Sequence, residues 1–592
     1  MAGRVGGGSR HVQAGRRGHR GSRAVNLRSD RWVRGDNEVA LDSRVALRMA
    51  GSAVTREGGR PLIGLATSAS DLNPCNQPLA ALVAPLREGI EAAGGFALEF
   101  PVISLGEDLM KPTAMLYRNL LAMEVEESLR SQPLDGVVVL AACDKSVPGA
   151  LMGAFSTNLP VLVLVAGPRP VAIYQGRRVG TGTDLWRQWD LRRRGATSDA
   201  DWSAFEDALT LGKGTCNTMG TASSMGVLVE ALGLAWPGST SIPAGDPRHH
   251  DVARRVGARI VELVTSGANA AAQVGDDAIA NALACLCAAG GSTNAVIHLT
   301  ALAGRLGRTL TLDDVDATAR RVPVLVDVEP SGSALMDDFD ASGGVPTLMA
   351  ALGDLLAPEV ILADGRPTRV VQAESGPARG VVRDLAAPVD GAGAFRVVRG
   401  NLAPDGALIK RSAATPDLLA HRGPAYVIEA DQVDERTGPA SSATRDAVLV
   451  LRGAGPVGGP GMPEWGMVPI PEPLLASGVS DMVRVTDARM SGTSYGTVFL
   501  HVAPESAIGG PLARVRDGDV IVVDADAGQL YVDVDAAEWA AREVVTPAFD
   551  ERGYVSLYRR HVTQAPRGCD FDFLVQPTGV DPSLDEPVVG RS

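Results

Sequence analysis

The chain has 592 residues, of which 45% are hydrophobic and 21% charged, and a formal net charge of -13; it reads as a globular protein too long for one ordinary core, so two large domains or more are expected. The acidic balance disfavours a nucleic-acid partner, because phosphate binding needs a basic surface, and no uninterrupted apolar run approaches the ~20 residues of a membrane helix. Six cysteines, at 75, 143, 216, 285, 287 and 569, do not form a secreted disulfide pattern and suit a reducing cytoplasm.

Residues 1–26 are read as a disordered extension. The first 25 carry six Arg, seven Gly and no acidic residue, with little to pack and no apolar core of a secretory leader. Residues 27–365 are expected to form an α/β domain. Leu62 to Thr67 reads as a buried strand running into a polar turn that carries Cys75. A helix over Leu79–Ala93 stops at Gly94-Gly95, a strand begins at Phe96, and a second helix spans about Thr113 to Arg130. Leu134–Ala142 is a strand ending at Cys143-Asp144-Lys145, followed by a helix over Gly149–Thr157 and the apolar strand Pro160–Val165.

Continuous apolar strands alternating with helices predict a parallel sheet covered on both faces. The charged, Trp-containing stretch Arg177–Asp207 reads as an irregular excursion over the site; the block Gly214–Met225 follows with a helix to about Leu232, and helical patterning continues from Asp251 to about Leu306, broken at Gly290–Asn294. Residues 366–592 change texture. Short β-rich pieces (Val370–Gln372, Phe395–Val398, Ala425–Glu429, Ala447–Arg452, Val520–Val523) separated by Gly/Pro turns predict a mainly β domain, a barrel or compact sandwich.

Cys75, Cys143 and Cys216 each lie in a turn next to Asn or Asp. Loops beyond the carboxyl ends of parallel strands converge, and three thiolates suit an iron–sulfur cluster with one open iron, or zinc with an open position. A single cysteine more often only packs, which is the reading for Cys285 and Cys287 within an apolar pattern; Cys569 is given no ligand role. Glu107, Asp144 and Glu464 are carboxylates on Gly- or Pro-rich turns or beside a cysteine; hard oxygen ligands of this kind suit Mg²⁺, against the alternative of solvated turn charges. Ser491 and Thr493 lie in a hydroxyl-rich run with no Gly-x-Ser-x-Gly elbow or evident histidine partner, so a hydrolase triad is unsupported.

These blocks, in one order from about Leu27 to Val575, resemble the dihydroxy-acid and sugar-acid dehydratases. The segments that carry the likeness are Asn73-Pro74-Cys75, Cys143 to Gly149, the Cys216 turn, Gly290 to Asn294, Gly400 to Gly406, Gly459 to Glu464 and Thr486 to Gly496. The resemblance implies an α/β domain and a β-barrel, assembled as homodimers or homotetramers. It implies a [2Fe–2S] cluster on Cys75, Cys143 and Cys216, with [4Fe–4S] as the alternative, and Mg²⁺ on Glu107, Asp144, Glu464 and a carbamate of Lys145. Ser491 would take the proton from C2, with Thr493 beside it.

The implied reaction dehydrates a polyhydroxy acid to a 2-oxo-3-deoxy acid. Gly106-Glu107 and the motifs around Cys216 and Ser491 look more like the aldonic-acid branch than the branched-chain amino-acid enzyme, which stands as the alternative, beside a non-catalytic metal-binding relative. Asn76, where the family commonly has His, and Ala454–Val457 depart from the family pattern and are read as positions that touch substrate preference.

Overall fold

A computed structural model describes residues 1, 3, 27–465, 467–544, 546–549 and 551–580; the rest of the Arg/Gly-rich extension lies outside the described residues. Four parallel strands, β1 (Leu62–Thr67), β2 (Phe96–Pro101), β3 (Gly136–Leu140) and β4 (Val161–Leu164), form a sheet in the order β2-β1-β3-β4. β1, β3 and β4 are buried along their whole length, so both faces need apolar side chains and the sequence shows unbroken rather than alternating hydrophobicity.

Helices α1 (Val83–Ala92), α2 (Arg118–Ser131) and α3 (Ser146–Ser156) follow β1, β2 and β3 in turn. Ile63, Leu65, Val138 and Leu162 point to one face, against Leu86 and Ile90 of α1 and Val256 and Ile260 from further along the chain. Leu62, Val137, Val139 and Val161 point to the other, against Leu121 and Val125 of α2 and Leu151 of α3.

The stretch from Arg177 is ordered rather than irregular. Arg177–Val179 pairs with Ala172–Tyr174 as a hairpin, and the helices α4 (Thr183–Arg193) and α5 (Asp199–Leu209) follow. Their apolar periodicity is weak because both lie on the surface, and the break between them is set by Ser198, whose side chain caps α5 by accepting from the Asp201 amide. Beyond them come α6 (Thr221–Ala231), α7 (Arg248–Ser266), α8 (Asp276–Ala288) and α9 (Thr293–Arg305). Val370–Gln372, expected as strand, lies inside the helix α10 (Thr368–Ser375). Of its valine pair only Val371 is buried, with Thr368 one turn earlier, so burial at a spacing of three overrides β-branching.

Eight strands then close a barrel: β5 (Phe395–Gly400), β6 (Ala403–Lys410), β7 (Ala420–Glu429), β8 (Val448–Arg452), β9 (Arg484–Thr486), β10 (Val498–Ala503), β11 (Val520–Asp524) and β12 (Gln529–Val532), in the order β8-β9-β10-β6-β5-β12-β11-β7. Val398, Ile409, Val450, Val485, Phe499, Ile521 and Leu530 share one core cluster. After the barrel the chain returns to the α/β portion through α11 (Tyr554–His561). Arg305 of α9 makes two hydrogen bonds to Asp570 at 2.6 and 3.0 Å, with both side chains wholly buried, and Arg118 donates to the carbonyls of Gly568 and Cys569, both at 2.8 Å. Among the described residues no helix is long and apolar enough to cross a membrane.

Candidate active site

The turns that leave β1 and β3 are knitted together by short polar side chains. Asn73 Oδ1 accepts from the Cys75 amide (3.1 Å) while its Nδ2 donates to the Leu105 carbonyl (2.8 Å), tying the Cys75 turn to the Glu107 turn. Gly106 is required there, because a Cβ would lie 2.8 Å from the Asn73 amide carbon. Asn76 is fully buried; its Oδ1 accepts from the amides of Ala142 (3.0 Å) and Cys143 (2.9 Å), and its Nδ2 donates to Ser104 and Ser146, both at 2.9 Å. The Cys216 turn is drawn in by the bond from the Gly214 amide to the Pro74 carbonyl (3.1 Å) and by Arg169, whose amide donates to the Thr215 carbonyl (2.9 Å).

The result is a cavity of about 480 Å³ lined by Cys75, Cys143, Cys216, Glu107, Asp144, Glu464, Ser491 and Thr493, together with Lys111, Arg169 and Trp186. Carboxylate oxygens of Glu107, Asp144 and Glu464 lie within 4.8 Å of one another. Lys145, with no exposed side-chain surface, sits among them: its Nζ is 3.3 Å from Glu107 and 3.0 Å from Glu464, and pairs with Asp144. Cys143 and Lys145 flank Asp144, so one turn faces the sulfur set and the oxygen set together.

Glu464 and Ser491 come from the barrel portion. The two-residue strand Glu464–Trp465 pairs in parallel with Arg489–Met490, and the Ser491 amide donates to the Trp465 carbonyl (2.9 Å). Asn294, near the start of α9, donates to both Glu464 (3.2 Å) and the Met490 carbonyl (3.1 Å). Ser491 and Thr493 share a hydrogen bond between hydroxyls at 2.9 Å.

The N-terminal signature of the dihydroxy-acid/6-phosphogluconate dehydratases matches residues 60–369 and their C-terminal signature residues 380–569. The chain belongs to this family. The dehydratase is 46% identical to the 6-deoxy-6-sulfo-D-gluconate dehydratase of Pseudomonas putida, over 93% of this chain and 96% of the relative. It is 42% identical to the L-arabinonate dehydratase of Rhizobium leguminosarum bv. trifolii (93% and 96% covered) and 34% identical to a dihydroxy-acid dehydratase of Sulfurisphaera tokodaii (86% and 93% covered).

The electrostatics of the dehydratase site separate its two donor sets. Burial works against the Lys145 ammonium, but Asp144 and Glu464 outweigh it and lift its pKa above the ordinary lysine value. Burial also disfavours the Glu107 carboxylate, yet Lys145 and Arg489 hold it below the usual range, whereas for the more enclosed Glu464 burial prevails and raises it. Hydrogen bonding to Cys75 and then burial push the Cys143 thiol well up; burial pushes Cys216 up to about 12 although Arg169 opposes it. Enclosed thiols such as Cys143 and Cys216 become thiolates only when a cation compensates them.

Sequence reasoning passed over the residues that orient these groups. Arg489 is wholly buried and bridges the two domains, donating to Glu464 (2.8 Å), the Met462 carbonyl (2.9 Å) and Thr113 (3.3 Å), with Glu107 3.6 Å away. Arg489 and Asn294 both stand in blocks singled out from the sequence, but a pair joined only by the fold leaves no spacing signal. Asn76 is a brace for the Cys143 turn and does not line the cavity. The amides of Ala454 and Val457 donate to Asp487 and Glu505, also away from it. Cys285 and Cys287 are buried in α8, and Cys569 packs with its sulfur 3.9 Å from that of Met462.

Proposed function

We propose that this dehydratase removes water from a sugar acid, an aldonate with hydroxyls on C2 and C3, to give a 2-oxo-3-deoxy acid. The observation that carries the reading is the meeting of three thiols, three carboxylates and the Ser491–Thr493 pair around one cavity. The donor sets suit the groups they would hold: Cys75, Cys143 and Cys216 a [2Fe–2S] cluster, with [4Fe–4S] as the alternative, and Glu107, Asp144, Glu464 and a carbamate of Lys145 a Mg²⁺ ion. Carbamylation would turn the cation between those carboxylates into another oxygen donor. When bound, the two groups supply Lewis acidity that draws charge from the carboxylate and 2-hydroxyl and weakens the C3–O bond.

Deprotonated Ser491 Oγ takes the proton from C2 and the 3-hydroxyl departs as hydroxide, the two together amounting to one water, leaving an enol that converts to the oxo acid. Arg489 keeps Glu464 and Glu107 facing each other across the domain boundary. A polyhydroxy substrate is favoured over a branched alkyl one by the polar lining of Lys111, Arg169 and Thr181. The enzyme is proposed to work in the cytoplasm as a homodimer or homotetramer.

Ser491→Ala is expected to keep iron, sulfide and magnesium yet lose nearly all turnover, and normal activity in that variant refutes the assignment. The substrate is read from a panel of L-arabinonate, D-xylonate, D-galactonate, D-gluconate and 6-deoxy-6-sulfo-D-gluconate beside 2,3-dihydroxy-3-methylbutanoate. Turnover of the last alone overturns the sugar-acid reading.

A further inference from the structure

The first turn of α4 reaches from the α/β portion and grips Thr493 of the barrel portion. Thr183 Oγ1 donates to the Thr493 carbonyl at 2.9 Å, and the indole Nε1 of Trp186 donates to Thr493 Oγ1 at 3.3 Å. The fit leaves no slack: a Cβ on Gly182, whose φ is +103°, would lie 2.5 Å from Thr493 Oγ1, and one on Gly220 2.7 Å from its methyl carbon. The turn is anchored in its own domain, since Arg187 donates to Asp184 (3.0 Å) and to Glu329 (2.7 Å).

An indole N–H only donates, whereas a hydroxyl carries one hydrogen and two acceptor sites. Trp186 therefore takes one acceptor site of Thr493 Oγ1. Thr493 is 4% exposed, and among the described residues the one acceptor within reach of its hydroxyl hydrogen is Ser491 Oγ, at 2.9 Å. In the reverse arrangement that hydrogen has no acceptor among the described residues and must turn to the cavity, away from Ser491. The Thr493 amide also points to Ser491 Oγ, at 3.4 Å. All three donors find an acceptor when the chain runs one way, from indole to threonine hydroxyl to serine oxygen, with the Thr493 hydroxyl and amide both directed at Ser491 Oγ.

We propose that Trp186 is a positioning residue that fixes the direction of this chain, so that Thr493 donates to Ser491 Oγ and favours its negatively charged form. The inference rests on Ser491 being the base. Two donors on this oxygen favour its deprotonated form, the one able to take the C2 proton, and they are in place before the reaction starts. The Trp-containing stretch supplies the indole that orients the threonine hydroxyl.

The test uses holoenzyme with matched iron and sulfide content and whichever of L-arabinonate and D-gluconate is turned over, in C2-protio and C2-deuterated form. Trp186→Phe keeps the ring and removes the donor; it should lower kcat about fivefold, the worth of one neutral hydrogen bond, with KM changed less than twofold and a larger deuterium isotope effect. Thr493→Ser should retain the effect of Trp186. In Thr493→Val the relay is already cut, so adding Trp186→Phe should cost nothing more. A raised KM with kcat and isotope effect unchanged, or additive losses in the double variant, would overturn the relay and make Trp186 a substrate contact or plain packing. A fully active Ser491→Ala would instead remove the base assignment beneath it.

Discussion

Replacing Asn76 with leucine keeps the volume and removes four hydrogen bonds from beneath the Cys143 turn. Two of the losses matter most: the amides of Ala142 and Cys143, 3.0 and 2.9 Å from Asn76 Oδ1, are left buried with no acceptor. Each such group costs ~1–3 kcal/mol, so about 2–6 kcal/mol is expected for the pair. Ser146 adds little, because its hydroxyl still exchanges bonds with the amide and carbonyl of Leu105 at 3.0 and 2.9 Å. The loss is local, falling on the turn and not on the distant barrel, and 2 kcal/mol corresponds to a population ratio of about thirty. Hydrogen exchange of a peptide covering residues 137–149 should accelerate at Ala142 and Cys143 by at least that factor, and iron retained after reconstitution should fall. Wild-type exchange at both amides with full iron content would refute the bracing role.

Lys410, at the end of β6, is buried with no partner for its Nζ among the described residues, and burial pulls its pKa down to about 7. The unfolded chain keeps that proton up to ~10.4, so the unfolded state binds more protons between about pH 7 and 10 and stability falls as pH drops through that window. Lys410→Met should flatten this dependence and raise stability at pH 7 by on the order of 4 kcal/mol; a denaturant midpoint no higher than wild type would refute it. Asp570→Asn leaves the buried Arg305 with Glu126, at 3.1 Å, as its remaining charge partner and should cost on the order of 2 kcal/mol, read as a lower thermal midpoint with the far-ultraviolet spectrum unchanged at 25 °C; an unshifted midpoint would count against it.

The parallel sheet was legible because burial on both faces forces unbroken runs such as Val137–Leu140, and the cysteine and carboxylate turns because they follow those runs. What stayed hidden depends on partners far apart in the chain. Asn76 reads as a position that touches substrate preference because it stands where the family commonly has His, yet its side chain turns inward to the backbone of residues 142 and 143. Arg177–Asp207 looked irregular because surface helices carry few apolar residues, and its purpose appears only where Trp186 meets Thr493. Arg489 is wholly buried, but its carboxylate partners Glu107 and Glu464 come from different domains, and periodicity cannot register such a pairing.

The return of the chain from the barrel to the α/β portion has a mechanical consequence. Arg305 with Asp570, and Arg118 with the carbonyls of 568 and 569, act as a bolt thrown after the last strand has closed. A hinge that parted the chain's end from the α/β portion would have to expose a paired guanidinium and carboxylate at once, a cost that opposes such an opening. Leu185 and Trp186 of α4 and Leu209 of α5 line the cavity, so the small arm they belong to borders the substrate's space on a side the bolt does not hold.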